Sequence, residues 1–337
     1  MRKSVLAAVR RTPAAQPALD DGVRRMSFGD LNQMIEQERR WLDSFVVRDC
    51  ALAAENSCGW VISDLALLAS DAVSVAIPTN FTAEQMSYAL HDSAVEFVLT
   101  EARLRACAEH AGFVKVGLSN RTGLTLLHRR SAHAGPRPLQ GVIKASYRAQ
   151  GMSDPQAILF EAAMIEHAAE QLLQAQRRVA IAKHLSFLPL TSTLENVGGV
   201  YVPLLLGAEV LLKTRAIAAM SCTPNGIETL LESLRQERPH SVALTAELLG
   251  ALLNAIDRGW RAPEELRSVV VDSARVSSEL LQRARAVGLP ITEWELIECS
   301  IEPNCAMEAS KTLALPAGAF AAKGRAGTSA TAYGAAG

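Results

Sequence analysis

The chain has 337 residues, 49% of them hydrophobic and 20% charged, with a formal net charge of -1. That length supports one large or two ordinary domains with a full core. The near-neutral balance excludes a chain-wide electrostatic pull on nucleic acid or anionic membrane, and the arginine doublets at 10–11, 24–25, 39–40, 129–130 and 177–178 read as solvated surface.

Residues 25–30 (RMSFGD) lead into a helix over 31–45, where Leu31, Met34, Ile35, Trp41 and Leu42 form an apolar stripe. Ser27 or Asp30 can cap it. Residues 45–54 read as a strand, 55–59 as a turn and 60–70 as a buried helix. A strand at 73–77 stops at Pro78, and Thr82 with Gln85 has capping-box spacing for the next helix. A strand at 95–99 and a helix at 101–110 follow. Residues 124–127 read as a short strand and 132–138 (AHAGPRP) as a linker. Residues 142–160 (VIKASYRAQGMSDPQAILF) cross a polar, glycine-containing turn and deliver the chain into an amphipathic helix over 161–178. Strands at 185–188, 208–212, 241–244, 266–271 and 291–294 then alternate with helices at 194–206, 225–236, 247–256 and 277–286. This alternation predicts an α/β fold of layered, mostly parallel sheets with flanking helices. The last stretch, 312–337, is rich in Ala and Gly, carries no acidic residue and has no periodicity. It reads as a disordered tail, or as the product of a frameshift. The expected organisation is a folded region over 1–311, divisible near 130–145, followed by the 312–337 tail.

Six cysteines are spread without a CxxC pair, and no histidine joins Cys299 and Cys305 at metal spacing. Free thiols in a reducing, cytoplasmic setting are expected. The apolar stretches 61–78 and 185–212 are broken by Asp64, Asp71 and Glu195, which argues against a membrane span. The N-terminal apolar run is too short for a signal peptide. No GxGxxG, Walker A, HExxH or GxSxG pattern occurs. Cys58, just before a helix, is either a thiol of lowered pKa or a buried structural one.

Several blocks resemble, in order and spacing, the large N-terminal domain of the adenylate-forming superfamily: acyl-CoA synthetases, aryl-CoA ligases and peptide-synthetase adenylation domains. They are RMSFGDL at 25–31, ENSCGWVISDLALLASDAVSVAIP at 55–78, LPL at 188–190, GAEVL at 207–211, DSA at 272–274 and WELIEC at 294–299. The resemblance implies the fold of that domain. It also implies an ancestral reaction in which ATP and Mg²⁺ activate a small carboxylic acid as an acyl-adenylate, with CoA as a thioester acceptor. Residue by residue, it places Arg148, Gly151 and Ser153 at the phosphate loop, Ala274 beside the adenylate and Trp294 against adenine. Glu298 falls at the magnesium-holding glutamate and shares the catalytic role with Arg148.

The departures are as specific as the matches. The family's loop runs thr-ser-gly-thr-thr-gly-x-pro-lys-gly, because successive backbone N–H groups must close around phosphates while a lysine adds charge. Aligned on Pro155, Gln156 stands at the lysine, Ala157 at the next glycine and Ser153 at the preceding one. Glu295 and Ile297 replace the glycine and threonine before Glu298, and Asp272 and Ser273 replace two glycines. The later ribose-binding block and the small C-terminal domain with its catalytic lysine find no match. This composition favours a surface turn at 146–155 over a working phosphate loop. Three readings stay open: an impaired ligase; a non-catalytic relative that binds a small acid or partners an intact ligase or carrier protein; and a truncated product without a stable fold.

Overall fold

The computed structural model describes residues 2–129, 141–149, 151, 153–213, 224–295 and 299–300. The chain opens with α1 (Arg2–Arg11), β1 (Pro17–Asp20) and β2 (Arg25–Ser27), none of them anticipated from periodicity. Next come α2 (Phe28–Asp43), β3 (Asp49–Ala53), α3 (Cys58–Ala69), β4 (Val73–Ala76), α4 (Ala83–Asp92) and β5 (Phe97–Thr100). The expected helix at 101–110 is a 3₁₀ turn, Ala102–Leu104, followed by α5 (Arg105–His110). Then follow β6 (Phe113–Leu118), β7 (Thr125–Arg129), β8 (Lys144–Arg148), β9 (Gln156–Phe160), α6 (Ala162–Arg177) and β10 (Lys183–Ser186). The helical run after β10 comprises α7 (Thr193–Glu195), a π-helical segment over Asn196–Tyr201 and α8 (Val202–Leu206). The remainder is β11 (Glu209–Leu212), α9 (Pro224–Glu237), β12 (Ser241–Ala243), α10 (Ala246–Asp257), β13 (Ser268–Asp272), α11 (Ser278–Ala286), β14 (Ile291–Trp294) and β15 (Cys299–Ser300).

Side-chain caps set several helix starts. Both expected caps of α2 act together: the Ser27 hydroxyl accepts the Asp30 N–H, and the Asp30 carboxylate accepts the Ser27 N–H. Thr82 and Gln85 make the same reciprocal pair at α4. Gly207 ends α8 in the left-handed region, at φ +72°, where a side chain would be strained. The turn at 149–155 does not lead directly into a helix. It closes a hairpin, because β9 pairs antiparallel with β8 from Lys144 opposite Phe160 to Arg148 opposite Gln156. β9 was hidden in the sequence because its short apolar run abuts the helical pattern of α6.

Two sheets result. One has the order β14-β13-β12-β10-β11-β1-β2, parallel except for the β1–β2 edge. The other has the order β15-β9-β8-β4-β3-β5-β7-β6, with parallel pairing from β8 to β5 and antiparallel flanks. The fold class is α/β as expected, with mostly parallel pairing and antiparallel strands at the sheet flanks. All described elements fall within Met1–Pro303; the 312–337 tail lies outside the described residues.

α3 is buried on nearly every face, and one charge sits at its centre. Asp64 accepts from Lys144 Nζ at 2.5 Å and Ser74 Oγ at 2.8 Å. It also accepts from Tyr201 Oη at 2.6 Å and Asn196 Nδ2 at 3.2 Å. Burial pushes the Asp64 carboxyl up, but the Lys144 ammonium and the hydrogen bonds of Lys144, Tyr201 and Ser74 outweigh it and hold its pKa below the ordinary value. Burial lowers the Lys144 value. Through this cluster β4 and β8 of one sheet are tied to the helical run between β10 and β11 of the other.

Candidate ligand-binding cleft

A cleft of about 380 Å³ opens at the carboxyl ends of strands from both sheets. Ala54, Glu55 and Asn56 follow β3, Pro78 to Phe81 follow β4, and Ser146 to Ala149 end β8. From the other sheet come Pro189 and residues 191–194 after β10, residues 244–247 after β12, and Asp272, Arg275 and Val276 at the end of β13. Crevices in open α/β sheets form at such strand ends, because connecting loops diverge there and leave space.

Asn56 bridges the two sides. Its amide donates to the Leu188 carbonyl at 2.8 Å and accepts the Leu190 N–H at 2.9 Å. Glu195 supports the same segment from beneath, accepting the Leu188 N–H at 3.1 Å. Its other oxygen meets His184 Nε2 at 3.2 Å, and His184 Nδ1 meets Ser241 Oγ at 2.8 Å. This Ser–His–Glu line is sealed from solvent, so it holds the cleft wall rather than attacking a substrate. Gly199 makes room for it: a Cβ there would lie 1.9 Å from Glu195 Oε1.

The expected site residues divide sharply. Arg148 lines the cleft at the end of β8. Gly151 and Ser153 lie in the β8–β9 turn, both exposed, with Gly151 at φ +59°. The carbonyl oxygens of Gly151 and Ser153 accept from Gln85 Nε2 at 3.0 and 3.1 Å. Ala274 is exposed, and its N–H is taken by Asp272 Oδ1 at 3.1 Å, while Asp272 Oδ2 pairs with Arg275 Nε at 3.0 Å. Trp294 is 2% exposed and belongs to the core. Its indole N–H donates to the Ala168 carbonyl at 2.7 Å, and its ring packs where a Cβ on Gly198 would touch it. The structure therefore puts Trp294 beneath α6 and the π-helical segment, outside the cleft lining. Glu298, expected both as a catalytic group and as a metal ligand, lies outside the described residues. Among the described residues, no three His, Cys, Asp or Glu side chains are arranged to hold a metal ion. Cys58 is buried, and burial followed by the neighbouring Asp21 pushes its thiol pKa up, so it is the structural thiol of the two alternatives.

Sequence alone does not mark Gln85 or Asn56 as site residues. Gln85 was legible only as a cap, and Asn56 only as part of a resembling block; the partners of each are distant in sequence.

Residues 5–146 match the family model described as AMP-binding enzyme. No curated protein sequence matches. Among solved structures, the anthranilate CoA ligase AuaEII in complex with anthranoyl-AMP superposes with a TM-score of 0.66 at 18% identity, covering 89% of this chain and 62% of that one. O-succinylbenzoate coenzyme A synthetase (MenE) from Bacillus subtilis, in complex with AMP, gives 0.63 at 16% identity, covering 90% of this chain and 77% of that one. VinN in complex with L-aspartate gives 0.64 at 15% identity, covering 92% and 80%. The family match spans the first part of the chain, and the fold is shared with these ligases along most of its length. It spans 62% of the length of AuaEII. Among the described residues, no helix is long and apolar enough to cross a membrane.

Proposed function

We propose that this adenylate-forming ligase-like protein binds a small carboxylic acid in the inter-sheet cleft and carries an impaired form of the ancestral acid-activating chemistry. The observation that carries this reading is the β8–β9 turn. Where the family places glycines and a lysine, this turn directs the carbonyls of Gly151 and Ser153 at Gln85, and Gln156 occupies the lysine position. A phosphate cradle needs converging N–H donors and a cation, and this turn supplies no lysine. On the cleft wall Glu55 and Asp272 are paired with Arg103 and Arg275, and Glu247 adds a further carboxylate. These features are a poor fit to magnesium-bound ATP.

The chain's own groups suit a smaller anion. Arg148, Ser146, Thr191 and Thr245 line the same space. Charge-assisted hydrogen bonds from such groups would orient a carboxylate, with Phe81, Leu194 and Val276 receiving its apolar part. Anthranoyl-AMP and L-aspartate, bound by fold neighbours, set the scale of acid to try first. CoA, an intact ligase or a carrier protein is the partner to test next.

Calorimetric titration separates this reading from full activity. Saturable binding of a small aromatic or amino acid is expected, with ATP·Mg²⁺ weaker than about 1 mM and only slow acid-dependent pyrophosphate exchange. Micromolar ATP·Mg²⁺ binding accompanied by exchange overturns it.

A further inference from the structure

We propose that Gln85 clamps the β8–β9 turn against α4 and so fixes one wall of the cleft. Gln85 is 9% exposed and uses both ends of its amide. Oε1 accepts the Thr82 N–H at 3.1 Å, closing the capping box of α4. Nε2 donates to the carbonyls of Gly151 at 3.0 Å and Ser153 at 3.1 Å. An N–H donor on one side and two carbonyl acceptors on the other allow a single orientation of the amide. The helix start and the turn are therefore locked by the same planar group. Gly151, at φ +59° with no atom near a would-be Cβ, gives the turn the backbone freedom to reach it. Ala149, just before the clamped carbonyls, is part of the cleft wall. Only the relevance of this wall to a ligand depends on the function proposed above; the clamp itself needs no ligand.

The two halves of the amide separate by mutation. Gln85→Glu keeps an acceptor for the Thr82 N–H, so the capping box survives, but sets carboxylate oxygens against the two turn carbonyls. Thr82→Ala removes the hydroxyl that accepts the Gln85 N–H and leaves the clamp in place. Gln85→Met removes every polar atom at similar length. Native-state trypsin cleavage after Arg148, followed by intact mass, reports release of the turn, and thermal melting reports the helix cap. Cleavage about tenfold faster than wild type is expected in Gln85→Glu and Gln85→Met, with the melting temperature of Gln85→Glu close to wild type. Thr82→Ala is expected to melt earlier and to be cut after Arg148 at the wild-type rate. Wild-type cleavage in both Gln85 variants overturns the clamp. So does equal acceleration in Thr82→Ala, which would make cleavage a consequence of helix fraying.

Discussion

Val46 holds a backbone conformation that β-branched residues avoid, at φ +58° and 64% exposed, just past the end of α2. The left-handed region costs a non-glycine residue about 1 kcal/mol or more, and little packing is at stake at so exposed a position. Val46→Gly is therefore expected to stabilise the protein by about 1 kcal/mol, read as a raised urea midpoint at constant slope. His240 carries a pH dependence. Partial burial, then the charges of Arg267 and Lys183, lower its pKa from the ordinary 6.5, although Glu265 and a backbone hydrogen bond oppose them. Its Nδ1 accepts the Ala182 N–H at 3.0 Å, a bond that protonation at Nδ1 destroys. The unfolded chain takes up the proton more readily than the folded one. The contribution of His240 is therefore fully present at pH 8, is lost as pH falls through about 6.5, and levels off below the folded value. Urea midpoints at pH 8 and 5 should converge in His240→Asn relative to wild type. At this scale the sequence was partly readable. Thr82 and Gln85 announced a cap by spacing, but nothing at Gln85 announced Gly151 and Ser153, which lie 66 and 68 residues away.

Helix ends and the π-helical segment carry the lessons at the scale of elements. Val46, Asp71, Ala94, Ala180 and Arg238 all adopt positive φ just beyond helix ends, where glycine is the usual signal. Such ends are invisible to a reading that looks for glycine, whereas Gly207 marked the end of α8 plainly. In the π-helical segment the two adjacent glycines differ in what they protect. A Cβ on Gly198 meets Leu172 and Trp294 at 3.3 Å, contacts that small shifts can relieve. A Cβ on Gly199 falls 1.9 Å from Glu195 Oε1, which His184 holds while the Leu188 N–H holds Oε2. Gly199→Ala is accordingly expected to cost about 3 kcal/mol in chemical denaturation and Gly198→Ala about 1 kcal/mol. Similar losses at both sites would show that the Glu195–His184 line is free to move.

Across the whole molecule, the Asp64 cluster and the Asn56 bridge connect the two sheets. Lys144→Met strands the fully buried Asp64 charge, and a loss of about 3–5 kcal/mol is expected. Lys144→Met with Asp64→Leu should recover a large part of it, because the isolated charge is gone; failure to recover would assign the loss to packing. Cooperative thermal unfolding of the wild-type chain is expected as well, since one apolar cluster runs through elements of both sheets. A broad, probe-dependent transition would favour the reading of a product without a stable fold. By itself the sequence determined the α/β class, the order of most strands and helices, and the likeness to adenylate-forming enzymes. Those features live in periodicity, capping spacing and local blocks, which neighbours along the chain decide. Only the tertiary structure decided that Trp294 is core, that Ala274 gives its N–H to Asp272, and that the β8–β9 turn shows its carbonyls to Gln85. The outcomes at Trp294 and at the turn depend on which group from a distant segment meets a hydrogen-bond donor or an apolar face, and local sequence carries no record of that; the Asp272–Ala274 contact is local, between residues two apart.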